Sequence, residues 1–477
     1  MRVAIAGIKA FDEMRNGSRM RAPDVDYAKF LRQRRSIDRI AQRHAQADDM
    51  FRRLGITFAV YGQEDQDERL IPFDVVPRII SKPEWDGLSL GVCQRVSALN
   101  KFIHDVYHDQ DIFKAGKVPR GLLKNNEEYC AAMKGFTPPG GVYSHISGVD
   151  LVRTSEDEFY VLEDNLRCPS GVSYMMENRS VMTRLFPDLF DQMPVAPVNH
   201  YPGELLSTLL STAPEGVTDP TAVLLTPGRF NSAYFEHAFL ADEMGIELVE
   251  GNDLYVRKNH VFMRTIAGPQ RVDVIYRRIN DDFLDPKVFN KDSTLGVPGL
   301  FAAYRSGNVT IANAVGNGIA DDKAVYDYVP EMIQYYLDEE PILKNVPTYH
   351  LKSKKQRDEV LDKIMTMVIK EVHGAGGYGM LVGPKSTKKE RDTYIRKVMA
   401  RPSNYIAQPA LALSTCPTFD GTKLSPRHVD LRPYVLTGRD GPTVVPGGLT
   451  RVALKKGSLV VNSSQGGGTK DTWVLTK

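Results

Sequence analysis

Between Gly141 and Asn165 the apolar residues of this 477-residue chain leave helical spacing and fall into two β-rich runs, Val142 to Val152 and Phe159 to Leu162, separated by the polar turn Thr154-Ser155-Glu156-Asp157. Two such runs about a short polar turn predict a hairpin. Asp150 stands on its first strand, and Glu163 and Asn165 follow on the returning one. Side chains at i and i+2 of a strand share a face, so Glu163 and Asn165 point to one side and pairing brings Asp150 beside them. Two carboxylates and an amide oxygen are hard ligands of the kind Mg²⁺ takes when waters and phosphates complete its shell. Acidic residues also end hairpins in solvent, but the apolar run before Glu163 carries this strand inward and favours a metal role. The next loop, from Arg167 through Ser170 to Ser173, offers a cation and hydroxyls suited to an anion. Cys168 has no base beside it in sequence and reads as a packed thiol.

Around this hairpin the pattern is that of a large α/β chain. Tyr27 to Arg53 reads as one amphipathic helix stopped by Gly55, and a second helical run extends from Trp85 to Tyr107. The many arginines of the first are interspersed with Asp38, Asp48 and Asp49, and 61 basic against 59 acidic residues leave a net charge of only +2. A solvated helix face is therefore expected, not a nucleic-acid surface. From Ala222 the order strand, helix Tyr234 to Met244, Gly245 and strand Ile246 to Val249 predicts a Rossmann-like unit, with Val272 to Tyr276 as a further strand. Lys323 to Leu337 reads as a helix interrupted by Pro330, and Lys352 to Met365 as a charged helix. Linkers are expected at Met193 to Pro202 and Pro341 to Pro347, dividing the chain into 1–130, 131–215, 216–330 and 331–477. No run reaches the 18 or so uncharged apolar residues of a membrane span, and Val3 to Ile8 is too short for a signal core. The four cysteines form no CxxC pair, so a soluble cytoplasmic protein without a structural metal is expected.

The last third carries the complementary charge. Lys370 ends a β-rich run and is followed by Gly374, Gly376, Gly377 and Gly379, whose backbone N–H groups can cradle phosphate while the lysine supplies charge. The Walker pattern is absent, and a plain hairpin reads equally well. Tyr405 to Gln408 looks like a strand able to edge-pair with adenine, and Lys323 at a helix start can reach a phosphate or lie on the surface. Arg427 to Arg432 alternates charged and apolar residues as a strand does. Asn462 to Lys470 reads as a frayed tail or a phosphate-facing loop. Arg277 and Arg278 are candidates for holding a carboxylate or for structural ion pairs, while Glu236 and His237 either help to recognise a second substrate or, as expected first, lie on a helix surface.

The segments GVDLVR (148–153), YVLEDNLRCPSGVSYMMENR (160–179), TPGRFNSAYFEHAFLADEMGIELVEGNDL (226–254), RVDVIYRRINDDFLDP (271–286), GNGIADDKAVYDYVPEM (316–332) and HVDLRPYVL (428–436) resemble the circularly permuted, type 2 ATP-grasp proteins, the glutathionylspermidine synthase-like group. With FDEM (11–14) and the 85–107 helix, the similarity covers nearly the whole chain. The resemblance implies an α/β (α+β composite) ATP-grasp fold with a Rossmann-like unit and an N-terminal helical layer. It implies a magnesium triad of Asp150, Glu163 and Asn165, phosphate lysines Lys323 and Lys370, a lid at Gly374 to Gly379 and an adenine hinge at Gln408. The implied reaction is ATP-dependent ligation of a small-molecule or peptide carboxylate to an amine through an acyl phosphate, with two Mg²⁺ ions. In it Arg167, Ser170, Arg277 and Arg278 are candidates to hold the acid or its phosphate. Where glutathionylspermidine synthases carry Lys-Pro and an Arg in the glycine loop, this chain has Lys370-Glu371 and Gly374-Ala375, a departure that bears on the lid's phosphate contacts; the residues that select glutathione or spermidine are not matched, so the substrate name does not transfer. An ATP-binding scaffold or a small-molecule kinase is the competing reading.

Overall fold

The structure, a computed structural model, describes residues 10–477 apart from 17–18, 34, 59–68, 125, 373–378, 460 and 462–465. In chain order its principal elements begin with α1 (Ser36–Leu54), β1 (Phe73–Ile80), α2 (Lys82–Tyr107), β2 (Ile146–Ser155), β3 (Glu158–Asn165) and α3 (Val172–Leu185). There follow β4 (Ala222–Leu225), α4 (Tyr234–Met244), β5 (Glu247–Val249), β6 (Val274–Arg277) and β7 (Thr310–Ala312). The last part contributes β8 (Lys344–Asn345), β9 (Tyr349–His350), β10 (Met367–Glu371), β11 (Leu381–Val382), β12 (Tyr405–Pro409), β13 (Leu424–Arg432), β14 (Leu449–Val452) and β15 (Gly468–Val474).

Three sheets position the site. The largest runs β8–β3–β2–β13–β14–β15–β1, with three further strands joined to it. The Rossmann-like unit is a parallel sheet in the order β7–β6–β4–β5, and the third sheet is antiparallel, β9–β12–β10–β11. Helix α2 ties the first two together. It starts in a capping box of Ser81 and Glu84, which satisfies the orphan N–H groups of its first turn. Trp85, Leu88, Val92 and Val96, spaced by three and four residues, pack on Val149, Leu151, Val161 and Leu431 of the large sheet. Farther along, Leu99, Phe102 and Ile103 join the core of the Rossmann-like unit with Val223, Ile275 and Ile311.

Several expectations are corrected here. The first helical run is two helices, Val25–Leu31 and α1, broken where Arg35 adopts a φ of 63°; Gly55 does end α1, at a φ of 65°. The stretch Lys323 to Leu337 is interrupted as expected, into the helices Lys323–Tyr326 and Val329–Leu337, and Pro330 stands in the first turn of the second, where its missing N–H costs nothing. The expected linker at Pro341 to Pro347 supplies β8, an edge strand parallel to β3. The tail reading of Asn462 to Lys470 fails from Gly468 onward, because every residue of β15 is buried and the strand lies between β14 and β1; residues 462–465 fall outside the described residues. Among the described residues no helix is long and apolar enough to cross a membrane.

Lys470 shows how such a strand tolerates a charge. Its ammonium is fully buried, pairs with Asp74 of β1 and donates to the carbonyls of Val76 and Pro417 at 2.9 and 2.8 Å, so all three donors are met. Removing one partner strands the other in the core, which costs about 3–5 kcal/mol. Lys470→Met is therefore expected to lower the free energy of unfolding by about that amount in denaturant titration. Adding Asp74→Leu should recover part of the loss, and a silent Lys470→Met would refute the account.

Candidate functional site

β2 and β3 pair antiparallel with Gly148 opposite Asn165 and Asp150 opposite Glu163, and the register shifts after Asp150. Asp150, Glu163 and Asn165 thus share one face, as the spacing predicts. The intervening Asp164 faces the other way, where Arg95 of α2 holds both its oxygens at 2.7 Å and fixes the hairpin from behind. Asp150 is not a solvent-facing carboxylate. Arg432 grips it through Nε and Nη2, the latter at 2.8 Å, and Arg451 adds a third bond at 2.7 Å while also pairing with Asp430. Burial pushes the Asp150 carboxyl up, but the two guanidinium groups overcome it and hold the group well below the usual carboxylate range. Gly148 permits this approach, since a Cβ there would lie 3.1 Å from Arg432 Cδ. Sequence reasoning missed both arginines; the only trace was the alternation that puts Asp430 and Arg432 on one face of β13.

Residues from three separate segments converge in front of this face. Glu163, Lys323, Tyr326, Lys370, Ile406 and Gln408 line one cleft. Lys323 opens the short helix Lys323–Tyr326, capped by Asp322, and its Nζ lies 2.9 Å from Glu163 Oε1. Lys370 on β10 donates to Gln408 Oε1 on β12 at 2.8 Å, and Gln408 in turn donates to Thr348 Oγ1 at 3.1 Å. Burial pushes the Lys370 ammonium down to about 8, with Glu163 opposing and the charge of Lys323 adding to the shift. Two ammonium groups facing a carboxylate and an amide form a setting for a polyphosphate with a hard cation. The donors fit magnesium in kind. Glu163 and Asn165 are partly exposed, and Asn165 commits only its Nδ2, to Gly148 O. Asp150 has three bonds from Arg432 and Arg451 on its roughly four acceptor directions, so it has one left for a metal.

The remaining predicted residues are placed differently. Arg167 is held between Asp321, 2.8 Å from its Nε, and Glu128, with its loop fixed by Asn313, which donates to the carbonyls of Leu166 and Arg167. Ser170 contributes its backbone carbonyl, which accepts from Arg432 and Tyr434. Arg277 is buried, donates to the carbonyls of Asn313, Ile279 and Ala314 and pairs with Asp281, the geometry of an internal tie. Arg278 is buried as well and reaches Pro169 O, Tyr276 and Glu236. Glu236 and His237, expected on the surface, are each only 1% exposed. The Glu236 carboxylate accepts from the N–H groups of Gly171 and Ser173 and from the Ser173 hydroxyl, neutralising the positive end of α3 beside Arg278. His237 pairs with Thr226 at 2.9 Å, and burial together with Arg278 keeps its ring neutral. Gly379, at a φ of 71°, lies beside Glu371, whereas Gly374, Gly376 and Gly377 fall outside the described residues.

The chain is similar in sequence and fold to known proteins. The model of the family "Circularly permuted ATP-grasp type 2" matches residues 77–453. A protein of Synechocystis sp., "Uncharacterized protein sll0335", is 53% identical over 454 residues, covering 95% of this chain and 94% of that one. The protein "Putative glutamate--cysteine ligase 2-2" of Frankia casuarinae is 41% identical over 440 residues, 92% of this chain but only 50% of its own length. Among solved structures, the apo form of a glutathione synthetase-like effector from Globodera pallida shares the fold, with a TM-score of 0.58 over 93% of this chain and 99% of that one, at 11% identity. The chain belongs to the circularly permuted ATP-grasp type 2 family.

Proposed function

We propose that this protein is an ATP- and Mg²⁺-dependent carboxylate–amine ligase that forms an amide through an acyl phosphate. The observation that carries the reading is the meeting of Glu163, Lys323, Lys370 and Gln408, drawn from four segments, in one cleft beside the Asp150–Asn165 face. A carboxylate oxygen of the acid attacks the γ-phosphorus of ATP and ADP leaves. The amine nitrogen then attacks the acyl carbon, phosphate departs and the nitrogen loses a proton. Little covalent work falls to the protein, so positioning and charge neutralisation are its contribution. Lys323 and Lys370 offset phosphate charge, and Gln408, by its bond to Lys370, fixes where that charge sits. Asp150, Glu163 and Asn165 would hold magnesium, which when bound draws charge from the phosphate oxygens. Arg432 and Arg451 keep Asp150 ionised for that role.

Glu163→Gln and Asn165→Ala are expected to weaken magnesium-dependent ATP binding at least about tenfold in calorimetric titration. The fold should survive Glu163→Gln, because the partly exposed Lys323–Glu163 pair is worth no more than about 1 kcal/mol. Equal affinity in wild type and both variants would sink the metal assignment. Product mass then separates the chemistries: an acid and amine joined with loss of water is ligation, and an acid that only gains phosphate is a kinase.

The lowered ammonium of Lys370 adds a pH dependence whose sign is fixed. Phosphate binds the protonated form, and in the free protein that form is lost as pH rises through about 8. Nucleotide affinity should therefore fall by up to about tenfold between pH 7 and pH 9, with proton uptake on binding at the higher pH. Lys370→Arg, always charged, should flatten the profile. A flat wild-type profile would refute the role of Lys370.

A further inference from the structure

A second cavity, of about 490 Å³, opens between α3, α4 and the connection near Val198, with a volume in the range of small-molecule pockets. Met176, Phe190, Val198 and Phe239 give it an apolar floor, and Glu177 of α3 and Glu243 of α4 supply its carboxylates. Neither glutamate forms a hydrogen bond or ion pair among the described residues. The guanidinium of Arg179, also in the lining, is turned inward to Asp471 and to the carbonyls of Ala196 and Thr472, so its charge is already matched. Burial raises the Glu177 carboxyl; Arg184 opposes this and Glu243 adds to it. Two like charges beside an apolar floor, neither held in an ion pair among the described residues, are complementary to a cation that carries an apolar body. An anion would be repelled, and a neutral ligand would leave the repulsion in place.

We propose that this cavity is a ligand site for a small amphipathic amine, with its ammonium group between Glu177 and Glu243 and its apolar body on Met176, Phe190, Val198 and Phe239. The same two helices are joined at the other end of α3 by Glu236, so the ligand would bridge a helix pair that is already anchored. The proposal is independent of the nucleotide cleft, and its test contains no ATP.

The full chain is titrated with phenethylamine hydrochloride and, at equal ionic strength, with phenethyl alcohol, which has the same body without the charge. Saturable amine binding with a rise in Tm is expected, and at least about tenfold weaker binding of the alcohol. Glu177→Gln and Glu243→Gln should each weaken the amine about five- to tenfold and leave the alcohol unchanged. Glu243→Lys, which places a cation of the chain opposite Glu177, should abolish amine binding in a folded protein. No saturable binding, equal binding of amine and alcohol, or unchanged amine affinity in the double Gln variant would each overturn the proposal.

Discussion

The Asp150 carboxylate and the Arg432 guanidinium lie 282 residues apart in sequence and in contact in the fold, and the candidate site depends on that meeting. A carboxylate this deeply buried is tolerated only with its charge balanced and its lone pairs occupied. Arg432 and Arg451 balance the charge and take three of its roughly four acceptor directions, and Asp430 in turn balances Arg451. The network can form only if β13 and β14, from the end of the chain, lie beside β2. The Leu151–Leu431 pairing in the core on the opposite face of the sheet holds them there.

From that constraint the rest of the site follows as a division of labour. The hairpin that bears Glu163 and Asn165 is clamped from behind by Arg95 on Asp164 and from the side by Asn313, so its face is rigid. The lysine side comes from a separate antiparallel sheet, where Lys370 and Gln408 are joined across β10 and β12. Charge of one sign is thus built into one sheet and charge of the other into a second sheet and a short helix. In the function proposed above, a polyphosphate with a divalent cation would lie between them and offset the Lys323–Lys370 repulsion.

The arginines after β6 illustrate the opposite use of charge. Arg277 and Arg278 look like a binding pair in sequence, yet both are internal ties: Arg277 joins Asp281 and the carbonyls of Ile279, Asn313 and Ala314, and Arg278 joins the Pro169 loop and Glu236. Their equivalence to structural ion pairs was readable only as an alternative, because a charged residue carries no mark of burial in a single sequence. Glu236, His237 and Lys470 were misread for the same reason: each is charged or polar by type and buried because a partner distant in sequence satisfies it.

The sequence by itself determined what is local. The resemblance to the ATP-grasp proteins pointed to Glu163, Lys323, Lys370 and Gln408, while period-two runs made the Asp150–Asn165 hairpin and strand and helix alternation made the parallel sheet. Those features depend on near neighbours along the chain, which is why pattern and spacing suffice. Only the tertiary structure decided which charges are free to act and which are already balanced. Whether Asp150 faces solvent or two guanidinium groups, whether Arg277 binds a ligand or a carbonyl, and whether Lys470 frays or sits in the core all turn on partners supplied by another strand. Those pairings are set by the packing of whole sheets, and no local pattern encodes them.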